Sequence, residues 1–324
     1  MIFPRLSAYA CDALMCASMF AVQRRHRLHL ESRRELEQYI EASESLTRED
    51  FFLAPPVEED DRANEGRWRW ESPVRTGFAN NDQVDIELVP SREGWSAPTV
   101  FLLHALMSTS AAGYRRWAAQ FNERGWNACI IHLPFHHSRT PPGCLNGELA
   151  ITADLVRTAE AVRQGVCELR QLMARLRRYG CREFGLCATS YGGWIGALLL
   201  GVESDFRFAV LQAPIVNVSH AIWESAAARH VRSELVRCGI TRSLVERHRH
   251  LTFPMRVQPL CGPGRVLLAA GVWDQISRAQ DIAALHGDWP GSSLVSVEQG
   301  HYGFRMAEAC FAHLAEKGWI DGNC

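Results

Sequence analysis

The hydrophobic pattern of this chain changes period many times. RWRWESPV (67–74) and DQVDIELVP (82–90) alternate apolar and polar positions, as half-buried strands do. TVFLLH (99–104) and NACIIHL (127–133) are short, unbroken apolar runs, which suit strands covered on both faces. Between them AAGYRRWAAQFNERG has helical spacing and ends at Gly125, a C-cap residue. From Gly147 to Tyr179 the pattern predicts one long amphipathic helix with Leu155, Ala159, Val162 and Val166 on its apolar face and Gly180 just past its end. EFGLCATS then reads as a strand running straight into the helical GGWIGALLLG, and FRFAVLQAPIV (206–216) as the next strand. Residues 217–260 break the pattern. RVLLAAGVWD (265–274) is a strand followed by a helix through Ala284, SSLVSVEQGH (292–301) is the last strand, and Phe304 to Lys317 the last helix.

Repeated strand–helix alternation predicts an α/β fold: a mostly parallel central sheet with helices on both faces. The first fifty residues read as helix, with a charged second half, ESRRELEQYIEASES, and 54–66 as a polar loop. The expected organisation is a helical extension and linker over 1–66, then a main domain over 67–324 with a helical cap insertion at about 217–260.

Composition narrows the function classes. The 324 residues are 47% hydrophobic and carry a net charge of −1, so no overall field favours nucleic acid or an anionic membrane. The expected partner is a small-molecule or lipid-like substrate, with no nucleic acid. Eleven cysteines are scattered without a CxxC pair or zinc-like spacing, and Cys129 and Cys187 sit inside apolar runs. They read as reduced thiols of a cytoplasmic protein. The apolar stretch Leu6 to Val22 follows Arg5 and is similar to a signal peptide. Asp12 interrupts it, and Arg24, Arg25 and Arg27 follow at once, so it reads as a packing helix. No transmembrane segment is expected, because no run reaches roughly 18 uninterrupted apolar residues.

In an open parallel sheet, ligands bind outside the carboxyl ends of the strands. Three of those ends carry Ser190, Asp274 and His301, in that order. A hydroxyl, a carboxylate and an imidazole are what nucleophilic acyl transfer needs. The imidazole takes the serine proton, and the carboxylate orients the imidazole and stabilises its cation. Asp205 and Asp281 are rival acids that end no strand in the expected place.

These residues resemble the α/β-hydrolase superfamily over roughly 67–320. The resemblance rests on Ala188-Thr189-Ser190-Tyr191-Gly192, on Gly271-Val272-Trp273-Asp274 and on Gln299-Gly300-His301. His-Leu-Pro-Phe-His-His-Ser-Arg (132–139) is similar to the branch near alpha/beta hydrolase domain-containing protein 18. The resemblance implies a serine hydrolase cleaving an ester or thioester, with Ser190 as nucleophile, His301 as base, Asp274 as acid and no cofactor. It also implies an oxyanion hole made by the N–H groups of Tyr191 and Leu106, with Met107 as the alternative to Leu106. Ala105 stands where the family usually has glycine. An acyltransferase or peptidase with the same triad, and a non-catalytic binding protein of this fold, remain open.

His104, Met107, His132 and His136 are expected in the substrate pocket. His132, His136 and His137 also invite a metal reading, but no carboxylate or cysteine follows at suitable spacing. Pocket wall or loop scaffolding is preferred, with Arg139 anchoring the loop. The insertion holds Arg229, Arg232, Arg237, Arg242, Arg247, Arg249 and Arg256. They read either as a solvated helical face or as a cap that attracts an anionic ester.

Overall fold

Three helices precede the first strand in the computed structural model, which describes residues 2–55 and 66–321. They are α1 (Ile2–Gln23), α2 (Ser32–Ser43) and α3 (Arg48–Phe51). Then follow β1 (Arg67–Glu71), β2 (Gln83–Val89), β3 (Thr99–Leu103), α4 (Ala112–Asn122), β4 (Asn127–Ile131), α5 (Leu155–Arg178), β5 (Phe184–Thr189), α6 (Tyr191–Leu199) and β6 (Phe206–Gln212). The insertion folds as α7 (Val218–Trp223), α8 (Arg229–Arg237), α9 (Arg242–Glu246) and α10 (Arg249–Thr252), joined by short 3-10 turns. The chain closes with β7 (Val266–Gly271), α11 (Ala279–Asp288), β8 (Ser293–Val297) and α12 (Arg305–Glu316).

The strands form one sheet in the order β1-β2-β4-β3-β5-β6-β7-β8. β1 and β2 run antiparallel, and every pairing from β4 to β8 is parallel. The unbroken apolar runs β3, β4 and β7 are buried along their whole length, whereas β1 alternates. The period of two explains why both faces are filled. Phe101, Leu103, Ile131 and Leu186 join the core on one face, and Val100, Leu102, Ile130 and Cys187 the core on the other.

Two predicted helices differ. The helix expected from Gly147 starts at Leu155, capped by the Asp154 carboxylate accepting from the Arg157 N–H. The residues before it are held otherwise. Gly147 takes φ +74°, with its N–H donated to Phe135 O, and Glu148 accepts from the Leu145 N–H and from Arg25 and His26. The N-terminal helix is likewise broken at 24–31. There the Glu148 contacts and a bond from the Leu28 N–H to Glu234 pull the chain onto the body.

By length and composition Pro4–Gln23 is apolar enough to cross a membrane, with a mean hydropathy of 1.2. The requirement of an uninterrupted run had excluded it, yet Arg5 and Asp12 are the only charges it carries. Here it lies along the body beside α8 and the turn at 226–228, with Asp12, Cys16 and Gln23 turned inward.

Candidate functional site

Ser190 joins β5 to α6 in a sharp turn with φ 53° and ψ −110°. That region costs a residue bearing a β-carbon about 1–3 kcal/mol, so the surroundings must impose it. The next strand does so. The Ser190 N–H donates to Gln212 O at 2.8 Å, and Ser190 O accepts from the Ile215 N–H. The small residues beside Ser190 follow from close packing. A β-carbon on Gly192 would lie 2.6 Å from His104 O, one on Gly193 2.8 Å from Pro214 Cβ, and one on Gly196 3.0 Å from Ala188 Cβ. The helix is thus drawn against the ends of β3 and β6, and the serine is held at the rim of the sheet.

Asp274 and His301 arrive from the loops after β7 and β8. His301 Nε2 lies 2.8 Å from Ser190 Oγ, and Nδ1 lies 2.8 Å from Asp274 Oδ2. The other carboxylate oxygen, Oδ1, accepts the N–H groups of Ile276 and Ser277 at 2.7 and 2.8 Å. Those two bonds fix the rotamer, so Oδ2 faces the imidazole. The carboxylate assigns the proton to Nδ1 and leaves the Nε2 lone pair facing the serine hydroxyl. Burial pulls the His301 pKa down, but the charge and hydrogen bond of Asp274 outweigh it, and Asp12 adds to them. The net direction is upward from the ordinary histidine value. The three expected residues are therefore brought together. Of the rivals, Asp281 pairs with Arg278 and Asp205 with Arg177, both away from this cluster.

The loop after β3 approaches from the other side. Leu106 and Met107 line the same recess as Ser190 and His301. The Met107 N–H is held by His136 Nε2 at 3.1 Å, and the Ala105 N–H by the Tyr114 hydroxyl. The Leu106 N–H has no partner among the described residues. Tyr191 is the first residue of α6, where the backbone N–H has no intrahelical acceptor.

His104, His132 and His136 do not line the recess, which corrects their expected place in the pocket wall. Their ring nitrogens face backbone and buried side chains instead. His104 Nδ1 donates to Ala105 O and its Nε2 accepts from the Leu133 N–H. His136 Nδ1 donates to Pro134 O. His132 faces Ser138 and Glu87. Burial pulls His136 down to about 3 and His137 to about 4, so both are neutral props. With both nitrogens of His104 and His136 so engaged, neither offers a metal a lone pair, and no His, Cys, Asp or Glu cluster among the described residues has metal-binding geometry. Arg139 does anchor the segment. Its guanidinium meets the Glu168 carboxylate in a bidentate pair at 2.6 and 2.7 Å and also donates to the carbonyls of Asn81 and His132.

The recess is narrow, about 70 Å³, and mostly apolar. Ile215 and Ile276 belong to its floor, Ala227 and Ala228 come from the insertion, and Met15 and Met19 come from α1. None of the insertion's arginines lines it. Arg237 pairs with Glu234, Arg242 with Glu224 and Arg247 with Glu44, while Arg232 bonds to carbonyls. The notion of an anion-attracting cap is not supported by this placement. The contribution of α1 was not foreseen. Asp12, noted in the sequence only as a break in an apolar run, reaches the backbone of both Gln275 and His301.

No family model matches the chain. It is 25% identical over 196 residues to uncharacterized proteins from two strains of Mycobacterium tuberculosis, CDC 1551 and H37Rv, covering 60% of this chain and 46% of each relative. The chain thus spans about half the length of the curated relatives it matches. Among solved structures it is similar to an acetyl xylan esterase from Paenibacillus sp. R4, at a TM-score of 0.55 and 15% identity over 91% of this chain and 98% of that one. It is similar to acetyl xylan esterase 1 from Thermoanaerobacterium sp. JW/SL YS485, at 0.55 and 14% over 88% and 93%. It is also similar to the acylaminoacyl peptidase of Pyrococcus horikoshii, at 0.54 and 16% over 80% of this chain and 42% of that one. The sheet order, the strand-to-helix serine turn and these similarities agree that the chain has the α/β-hydrolase fold.

Proposed function

We propose that the chain is a serine hydrolase that cleaves a carboxylic ester, or a thioester, through an acyl-enzyme. The observation that carries this reading is the hydrogen-bonded line from Ser190 Oγ through His301 to Asp274, 2.8 Å at each step. His301 Nε2 takes the serine proton as Oγ attacks the carbonyl carbon, and Asp274 stabilises the imidazolium that forms. The oxyanion that develops is received by the N–H groups of Tyr191 and Leu106. His301 then protonates the leaving group, and water repeats the sequence on the acyl-enzyme to free the acid.

The recess supports a short acyl group. The recess beside Ser190 is narrow and mostly apolar while α1 is seated, which favours a small apolar acyl group. Two of the similar structures are named acetyl xylan esterases, so acetyl and propionyl esters are the first substrates to assay. The insertion and α1 act together as the cover. Ten free cysteines among the described residues support a reducing, cytoplasmic setting. The sequence of 132–139 is the sole ground for proposing a place near the branch of alpha/beta hydrolase domain-containing protein 18.

A fluorophosphonate probe tests the reading on purified protein. It should label the wild type and leave Ser190→Ala unlabelled. A folded wild type that stays unlabelled, or a Ser190→Ala variant that still labels, would overturn the assignment.

A further inference from the structure

Asp12 is a buried acid that touches the site and that the reaction scheme does not use. It lies midway along α1 with 0% exposure, while Leu6 and Leu14 of the same helix are 59% and 67% exposed. A helix that turns a carboxylate inward and leaves leucines in water is not seated by hydrophobic burial alone. A buried carboxylate is tolerated only where hydrogen bonds satisfy it. Here Oδ2 accepts from the Gln275 N–H at 3.0 Å, and both oxygens lie 3.1 Å from the His301 nitrogen. Gln275 follows Asp274 directly, and His301 is the base itself. One carboxylate therefore clamps the acid loop to the base loop. The space for it is provided by Gly300, where a β-carbon would fall 2.9 Å from Asp12 Oδ1.

We propose that Asp12 is a positioning residue for the proposed hydrolase. By accepting the N–H groups of Gln275 and His301 it sets the separation of the two loops, and it makes the docking of α1 a condition of activity. This inference rests on the serine-hydrolase reading. The groups that face Asp12 are His301 and Asp274 from the two loops, Tyr302 beside the base, Cys16 on α1 and Arg229 on α8 near Cys16. Burial raises the Asp12 pKa, and the two N–H donors hold the rise back. Its charge also helps to hold His301 above the ordinary histidine value.

The test compares the wild type, Asp12→Asn, Gly300→Ala and the exposed control Leu14→Ala. Each is assayed with an aryl acetate across pH and with the fluorophosphonate probe, and folding is followed by thermal unfolding. The amide of Asp12→Asn keeps one acceptor oxygen, puts a donor NH₂ group in place of the second oxygen beside the His301 N–H, and carries no charge. Its kcat should fall by about ten- to a hundredfold, as expected for a displaced base, with KM changed far less. The acid limb of its pH profile should move to lower pH, because a lost negative charge lowers the His301 pKa. A merely destabilised protein would lose rate without moving that limb. Gly300→Ala should reproduce the fall in kcat by displacing the carboxylate, and Leu14→Ala should match the wild type. A folded Asp12→Asn that keeps the wild-type kcat and pH profile removes this proposal alone. A folded wild type that the probe does not label removes the serine reading and this proposal with it.

Discussion

Asp274 divides its two carboxylate oxygens between different tasks, with Oδ1 held by the backbone of Ile276 and Ser277 and Oδ2 aimed at His301 Nδ1. The division makes the carboxylate rigid before any substrate arrives. In Asp274→Asn the amide oxygen is the better partner for the two N–H donors, so the NH₂ group would face Nδ1. The imidazole must then turn its lone pair toward that NH₂ group and its proton toward Ser190, the wrong tautomer for a base. The expected loss in kcat is about 10⁴-fold with the fold intact, the magnitude that the same exchange produces in the Ser-His-Asp proteases. Esterase kinetics beside a thermal-unfolding curve check it. A fall of less than tenfold would mean that another acid orients His301.

The pH dependence follows from the direction of the His301 shift. Proton abstraction requires the neutral ring, and Asp274 with Asp12 holds the pKa above the ordinary value of 6.5. Activity is therefore lost as pH falls through that raised pKa, and the midpoint of the acid limb of kcat/KM should lie above 6.5. A limb centred below that value would mean that burial, which acts the other way, dominates in solution.

The strand ends were legible in the sequence because each closes a short strand-like segment in a repeated strand–helix alternation, and a parallel sheet gathers the carboxyl ends of such segments along one edge. Ser190, Asp274 and His301 could thus be picked by position and residue type. The partners of these residues were less legible. Asp12 and His301 are 289 residues apart, and no periodicity links a helix to a loop on the far side of the chain. The signal that was present is a single carboxylate in an otherwise apolar helix, a residue that must be either exposed or satisfied. Of the two roles open to His132 and His136, pocket wall and loop scaffolding, their hydrogen bonds fit the second, and the choice was not legible for a related reason. Residue type marks a chain segment as near the site but does not tell which way a ring faces, and here the backbone of the adjoining loops claimed the nitrogens.

The Arg139–Glu168 pair is 1% and 2% exposed and should behave as a structural unit. Removing one partner leaves a buried charge alone, at a cost of about 3–5 kcal/mol. Glu168→Gln or Arg139→Met should each lower the unfolding midpoint sharply. The double variant Arg139→Met with Glu168→Leu should recover much of that loss, because two apolar groups leave no uncompensated charge. Denaturant unfolding of the four proteins checks it, and a double variant no better than the worse single one would refute the pairing argument.

Gly147 offers the most selective test of the loop after β3. It has φ +74°, and a β-carbon there would fall 2.4 Å from His136 Nε2 and 2.9 Å from the Met107 nitrogen. Gly143, a few residues earlier, has φ +78° but would meet nothing within 4 Å. An alanine at either position carries a similar backbone strain, about 1–2 kcal/mol. Only Gly147→Ala also pushes His136 away from the Met107 N–H and releases the turn that holds Leu106 beside Ser190. In the proposed reaction the Leu106 N–H meets a charge that exists only in the transition state, so its displacement lowers kcat more than it raises KM. Gly147→Ala should lose about ten- to a hundredfold in kcat, within the range of one misplaced oxyanion donor. Gly143→Ala should lose a little stability and no activity. Equal kinetics for the two variants would detach this loop from the chemistry.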